Sequence, residues 1–544
     1  MFTHVLVAAF ALFIPYICTV VRYKRLKQFA RFSQHPPSAI LGHLQVLDEF
    51  MKRAPPKAHP DVAIASMHEA LGRPPVMLID LRPVSPPLLV VGSYEIAEQI
   101  VKSTSRFPHS PPKAPETWNH LQHLTGSMSI ASSQGENWKT LRKRFNPGFA
   151  PQHLLSLLPS IIEKTSLFLE HLDNFAGSGT EFSLQELATN LTFDVIGRVV
   201  LDIDMGAQSA QPTDFMRVFH ELIQTYADEQ ITLPWWCTPR LEWRRSRLAR
   251  RARSTLKSIV YKRHAELAQA AKSRSILSMS LQGIEELSPK TVDVTCDQLS
   301  TFLFAGHDTT STTIAWTFYE LSRTPHALRA VRAELDDIFG TNSNPDSVRA
   351  RLMGPGGEEL VHRMIYTTAV IKEVLRLWPP GGTSRTTKPG DGLKVALPAS
   401  SSLLGRDISE MDLDGMMIYP THSIIQRDPS VFGDTADVFV PERWLGQGGP
   451  EKIPAGAWRA FERGPRGCIG QELALIETRV VLALAVRRFD FTKIGIGAVS
   501  INDKSGQPEM GKHGQYEVLE EMYMKMQVTA KPVDGMIMKV KIAT

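Results

Sequence analysis

Cys468 lies in FERGPRGCIG, a loop whose spaced residues suit a sulfur that holds a ligand. The pattern is Phe461-x-x-Gly464-x-Arg466-x-Cys468-x-Gly470, and an apolar stretch of helical character, QELALIETRVVLALAVRRF, follows at once. Glycines at 464 and 470 permit a tight backbone beside a flat ligand, where a Cβ would collide or the φ would be forbidden. At the start of a helix a thiolate is favoured by the positive end of the helix dipole, and Arg466 adds to that field. A zinc site would need partners at short spacing, yet the nearest other cysteine is Cys296. A single soft anionic ligand is the better reading, and one thiolate suits haem iron.

Four further groups of residues could do chemistry. TFLFAGHDTTSTT contains Ala305-Gly306-x-Asp308-Thr309, where a glycine and clustered threonines weaken a helix unless packing or function compensates. Threonines back-bonded to helix carbonyls are the structural alternative. In GENWKTLRKRF, Trp138 and Arg142 share one helical face, as would happen on any basic surface helix with an anchoring Trp. Glu373 and Arg376, three apart in IYTTAVIKEVLRLWPP, also share a face, a spacing that many helices have by chance. Arg443, in PERW, and Arg385 complete the set.

Taken in order across residues 30–500, these motifs resemble the cytochrome P450 family. The resemblance implies a mainly α fold with small β-sheets and a haem b (iron protoporphyrin IX) ligated axially by Cys468. It also implies cofactor contacts from Phe461, Arg466 and Gly470, and propionate contacts from Trp138, Arg142 and Arg385. Glu373, Arg376 and Arg443 would form a Glu-Arg-Arg network that fixes the segment before the Cys loop. Gly306 would leave room for dioxygen, and Asp308 and Thr309 would be catalytic, delivering protons through water. An apolar pocket would draw on Phe302, Phe304, Ala305 and the segments 107–134 and 213–236.

The implied activity is monooxygenation of an apolar small molecule by O2. Neither spare length nor a glycine-rich dinucleotide fingerprint remains for a flavin or nicotinamide domain, so NADPH and flavins would act through a separate reductase. CIGQELALIE and DGMMIYPTHSIIQRDP look most like filamentous-fungal members serving secondary metabolism, which suggests a terpenoid or polyketide skeleton. Fatty-acid or xenobiotic hydroxylation, multi-step oxidation, and a reductase-independent isomerase or dehydratase on the same scaffold are the alternatives. The intact Asp308-Thr309 pair argues against the last of these.

Composition bounds the elements that must position these residues. The 544-residue chain is 43% hydrophobic and 22% charged, an ordinary globular balance. A net charge of +5 is too small to imply a nucleic-acid partner. Four scattered cysteines suggest no disulfide framework and fit a reducing compartment. Residues 5–21 carry no charge and are followed by Arg22, Lys24, Arg25 and Lys27. That pattern predicts an uncleaved single-pass anchor in the endoplasmic reticulum membrane, with the body cytosolic. The division expected is therefore 1–27, anchor and basic flank, and 28–544, catalytic domain. The sequon at Asn190 would stay unglycosylated on the cytosolic side, and residues 24–34 would lie on anionic headgroups.

Apolar runs at 77–81 and 88–91 predict a strand pair. Helical patterning covers 154–172, 184–201 and 215–226, and Trp235 and Trp236 then suit a membrane interface or a core. From 244 to 274 there are eleven Lys or Arg against one acid, Glu266, with Leu248, Ala252, Leu256, Val260 and Leu267 on one stripe. No aromatic stacking set accompanies them, so this is a solvated helix face rather than a nucleic-acid site. Ser288 and Pro289 start a helix that can run until Pro325. The region 386–415 has no clear strand register, and a final sheet follows 491.

Overall fold

In a computed structural model, residues 13, 16, 19–227, 237–269, 273–398, 409–446 and 453–543 are described. They form two compact units, one of Met1–Ala114, Gly382–Val431 and Pro454–Arg466, the other of Pro115–Gly381, Phe432–Ile453 and Gly467–Thr544.

The first unit is built on a four-stranded sheet in the order Val76–Ile79, Leu88–Val91, Met417–Pro420, Arg385–Thr386. The first two strands are antiparallel with Val76 opposite Val91, while Leu88–Val91 and Met417–Pro420 run parallel. Both of the first two strands are buried throughout because the sheet is covered on both sides. Val76, Leu78, Leu89 and Val91 face one apolar cluster with Ile96, Ile100 and Ile418. Met77, Ile79, Leu88 and Val90 face another with Ile64, Met67 and Ile424.

The first strand ends earlier than its hydrophobic run because Asp80 leaves the sheet to pair with Arg25 at 2.7 Å and Arg82 at 2.8 Å. Arg25 also donates to the carbonyls of Ile40 and Arg82. That arginine is thus folded into the protein body and not free for headgroups, a correction to the linker reading. Among the described residues no helix is long and apolar enough to cross a membrane. The anchor stretch 5–21 lies outside the described residues except for 13, 16 and 19–21. Trp235, Trp236 and residues 399–408 also lie outside them, and the flanking strands Lys394–Ala396 and Glu410–Asp412 pair antiparallel.

In the second unit, the 35-residue helix Pro289–Arg323 is the central element. Ser288 caps it, its side chain accepting from Thr291 N at 3.1 Å, and Pro289 occupies the first turn. Its partner is Leu184–Leu201, which starts at the Ser183 cap. Between them Thr192 Oγ1 donates to His307 O at 2.8 Å and Gln185 Nε2 to Ser311 Oγ at 3.0 Å. Further along, Trp316 stacks on Trp378 at 3.8 Å, and Trp378 Nε1 donates to Glu320. The predicted helix 154–172 is broken in two, Pro151–Leu155 and Leu158–Ser178, with Pro159 starting the second.

The basic helix Pro239–Ala268 buries Leu248, Ala252, Leu256 and Val260 and turns most of its cations to solvent. Phe182–Ser183, Ile537–Ile542 and Phe489–Lys493 make a three-stranded sheet, and Met524–Gln527 and Thr529–Pro532 a hairpin. The hairpin register sets Gln527 opposite Thr529, so Val528 alone forms the tip, at a φ of 62°.

Candidate active site

Cys468 is exposed and lies just before the helix Gln471–Ala485, whose N-cap is Gly470. The preceding carbonyl, Gly467 O, accepts from Arg142 Nη1 at 2.9 Å. Arg142 rides on the helix Gly135–Phe145, one turn beyond the buried Trp138. Burial lowers the Arg142 pKa, and the nearby charge of Cys468 opposes that shift. Gly470 has a φ of −88°, and a Cβ there would meet only Cys468 Sγ, at 3.9 Å. Backbone freedom is therefore not what asks for glycine at 470. At Gly464 it is, with a φ of +72° and Val101 O only 2.3 Å from where a Cβ would stand.

Within the first unit, Arg385 is fully buried, and among the described residues none of its side-chain nitrogens has a hydrogen-bond partner. The nearest carboxylate oxygen is Glu462 Oε2, 4.0 Å from Nη2. Burial lowers the Arg385 pKa, Glu462 raises it, and Arg459 pushes it down again. Phe461 packs edge-on against Trp458, and Arg466 is buried.

Glu462 was not singled out from sequence, yet it organises this cluster. It sits at a φ of 57°, uncommon for a residue with a side chain. Its Oε1 accepts from Arg459 Nη2 at 2.7 Å, and Oε2 lies 4.0 Å from His422 Nε2. Burial alone would raise its pKa, but Arg459, His422 and Arg385 outweigh burial and hold it below the usual value. Glu98 joins by accepting from Arg459 and Arg463. The available signal was the acid placed three residues after one arginine and just before another.

In the middle of the helix Pro289–Arg323, Ala305 is exposed and Gly306 and Thr309 are half-exposed, while Phe302–304, His307 and Asp308 are buried. Phe302 lies edge-on to Phe145 at 5.2 Å and Phe149 at 5.0 Å, the surroundings of a core ring. Phe304 is likewise buried, beside His307, so of the three predicted pocket residues Ala305 alone is open. A Cβ on Gly306 would stand 2.5 Å from Ile196 Cδ1, so this glycine serves the close approach of two helices. Thr309 Oγ1 donates back to Ala305 O at 2.8 Å. Thr312, Thr313 and Thr317 are back-bonded in the same way.

Asp308 points away from Thr309's bond and toward the hairpin. Its Oδ2 accepts from Thr529 Oγ1 at 2.5 Å and its Oδ1 is 2.5 Å from Lys531 Nζ. Burial would raise its pKa, but Lys531, His307 and the hydrogen bonds outweigh burial and hold it below the ordinary value. Neither Thr529 nor Lys531 belongs to any motif read from the sequence.

Glu373, fully buried, accepts at Oε1 from Arg376 Nη2, Arg443 Nε and Val440 N, and at Oε2 from Arg376 Nε and Trp444 Nε1. Arg376 and Arg443 spend their remaining donors on the carbonyls of Ala436, Val438 and Thr435. Both guanidiniums share the Glu373 carboxylate and are hydrogen-bonded, the condition under which such a buried group is tolerated.

The model of the cytochrome P450 family matches residues 39–506. Cytochrome P450 monooxygenase acrF of Aspergillus aculeatus is 29% identical, over 90% of this chain and 98% of its own length. Cytochrome P450 monooxygenase polC of Polytolypa hystricis is 29% identical, over 89% of this chain and 85% of its own. Human cytochrome P450 4V2 is 24% identical over 76% of each chain. With the family's model spanning most of the helical body and the Cys loop, the chain belongs to the cytochrome P450 family of haem monooxygenases.

Proposed function

We propose that the protein inserts one atom of O2 into an apolar small molecule as a haem-thiolate monooxygenase, with electrons from an NADPH-dependent flavoprotein reductase. The observation that carries this reading is the exposed Cys468 at the foot of its helix, with Arg142 bound to the neighbouring carbonyl.

Three features support haem b as the cofactor. Cys468 is an exposed cysteine just before the helix Gln471–Ala485. Arg385 carries a buried planar fork that makes no hydrogen bond among the described residues, Glu462 standing 4.0 Å away, which suits a further carboxylate within hydrogen-bond reach. The open strip Ala305, Gly306 and Thr309 leaves low relief on a helix otherwise buried around it. Cys468 would be the axial ligand, Trp138, Arg142 and Arg385 would hold propionates, and Phe461, Arg466 and Gly470 would contact the cofactor. When bound, haem would supply oxygen activation, with Cys468 holding it through a thiolate.

The chain's own residues then manage protons and position. Asp308 is a carboxylate placed next to the open strip, and Thr309, whose own proton rests on Ala305 O, could accept a hydrogen bond from water. It becomes a donor when that bond is exchanged. Glu373, Arg376 and Arg443 tie the helix Ile365–Leu377 to the segment 435–444, which keeps the approach to the Cys loop rigid.

The anchor 1–27 would hold the enzyme in the endoplasmic reticulum membrane beside its reductase, with 28–544 in the cytosol. Cations near the Cys loop, Arg463 among them, would meet an acidic reductase face. The resemblance of the Cys-loop continuation to fungal secondary-metabolism members, with relatives from Aspergillus and Polytolypa, supports a terpenoid or polyketide substrate. The test is co-expression with a reductase, feeding of candidate skeletons and profiling of products, beside a Cys468→Ser control. Hydroxylated product that requires NADPH and disappears in the control supports the reading. Product formed equally without NADPH, or undiminished in the control, would overturn it.

A further inference from the structure

Arg385 and Glu462 stand side by side without touching. Glu462 Oε2 lies 4.0 Å from Arg385 Nη2 and 4.0 Å from His422 Nε2, too far for a hydrogen bond to either. Among the described residues Oε2 has no hydrogen-bond partner, and neither has any side-chain nitrogen of Arg385. The other oxygen is occupied: Oε1 accepts from Arg459 Nη2 at 2.7 Å and from Arg463 N at 3.1 Å. Those two bonds hold the carboxylate back, so the acid acts on the Arg385 guanidinium through its field alone.

The charges of this cluster do not balance. The guanidiniums of Arg385, Arg459 and Arg463 face the carboxylates of Glu98 and Glu462, and Arg459 is bound by both acids. The cation left over is Arg385, which is fully buried and makes no hydrogen bond among the described residues. One further carboxylate closes the count, and a buried cation asks for one. The backbone adds a second observation. Glu462 holds a φ of 57°, where a glycine would sit without strain, so a side chain stands here despite its conformation.

We propose that Glu462 is a positioning residue that shares Arg385 with a haem carboxylate. Its charge, fixed in place by Arg459, offsets part of the guanidinium, so the cofactor is held less tightly and at a lower reduction potential than Arg385 alone would give. This rests on the reading of Arg385 as a propionate-binding residue. The sign follows from Coulomb's law in a site with little water. An anion beside the bound carboxylate repels it, and an anion in the cofactor's surroundings favours the ferric state, which carries one more positive charge than the ferrous. By pinning Oε1, Arg459 keeps Glu462 from closing the 4.0 Å gap and taking the fork for itself.

The test uses the full-length, haem-loaded enzyme and the variants Glu462→Gln, Glu462→Gly and Glu462→Asp, the first also combined with Arg385→Met. Three readouts need no turnover: the ferric/ferrous potential by redox titration, the rate of haem transfer to excess apomyoglobin, and the propionate bending band by resonance Raman. Glu462→Gln and Glu462→Gly are expected to move the potential to more positive values, slow haem transfer severalfold and shift the propionate band. Glu462→Asp keeps the charge and is expected to stay near wild type in all three. Glu462→Gly also relieves the left-handed backbone, so denaturant unfolding of the two neutral variants separates strain from charge. In the Arg385→Met background, Glu462→Gln is expected to leave haem transfer and the propionate band unmoved. A folded Glu462→Gln enzyme with wild-type potential and transfer rate would overturn the proposal, and so would faster haem loss, the result a purely structural acid would give. If instead Arg385→Met by itself leaves haem transfer and the propionate band at wild-type values, the propionate reading of Arg385 falls and the sharing falls with it.

Discussion

A Cβ added to Gly306 would stand 2.5 Å from Cδ1 of Ile196, closer than two such carbons can approach. The glycine in the middle of the long helix is thus explained by packing against Leu184–Leu201 before any ligand is considered. Gly306→Ala should destabilise the protein by about 1–3 kcal/mol through overpacking, read by denaturant unfolding. Ile196→Ala in the same chain should restore most of the loss. If the single variant is as stable as wild type, the packing explanation is wrong and room for dioxygen becomes the better reason for glycine.

Glu373 is the carboxylate shared by two arginines with little access to water, since Arg376 and Glu373 are fully buried and the Arg443 side chain is nearly so. Removing the acid leaves two buried charges without their anion. Glu373→Ala should therefore cost about 3–5 kcal/mol and reduce soluble yield sharply. Glu373→Gln keeps the acceptor geometry at one oxygen and should fall between. Equal unfolding midpoints for Glu373→Ala and wild type would show that the network contributes nothing net.

Most of the helical frame could be read from periodicity and caps, as the helix starting at Ser288 and Pro289 illustrates. The strand pair was also readable, because two short β-branched runs flank a proline-rich turn. What could not be read were contacts made far along the chain. Lys531 and Thr529 meet Asp308 across more than two hundred residues, with no local pattern to betray them. Glu462 escaped notice because its role depends on a left-handed backbone and on Arg385 and His422 being brought beside it by the sheet. The family resemblance implied a pocket role for Phe302, and its ring packs edge-on against those of Phe145 and Phe149.

Arg142 holds the carbonyl just before Cys468, so its loss should loosen the sulfur before it affects the rest of the fold. Arg142→Ala removes a charged hydrogen bond of roughly 1.5–3 kcal/mol, and its partly exposed setting favours the lower end. The expected result is a smaller share of purified protein giving the thiolate-ligated carbon monoxide spectrum, with the unfolding midpoint of the remaining body little changed. Arg142→Lys keeps the charge without the fork and should give an intermediate share. An unchanged spectrum in Arg142→Ala would remove this residue from the cofactor assignment.

Glu477, on the helix after Cys468, is a buried carboxyl whose Oε1 has no hydrogen-bond partner among the described residues. Burial alone raises its folded-state pKa well above the ordinary carboxylate value. In the unfolded chain the same group ionises near ~4.3. Below that pH both states hold the proton, and the contribution to stability is fully present. As pH rises toward the folded-state value, the unfolded chain releases a proton that the folded protein keeps. Stability then falls by up to about 1.4 kcal/mol per pH unit. Glu477→Gln keeps the shape and cannot ionise, so it should flatten this slope and stabilise the protein most on the alkaline side. Denaturant unfolding of both proteins at mildly acidic and mildly alkaline pH checks the sign. Parallel profiles for the two would mean that Glu477 is already ionised in the folded state, with a cation or water beside it.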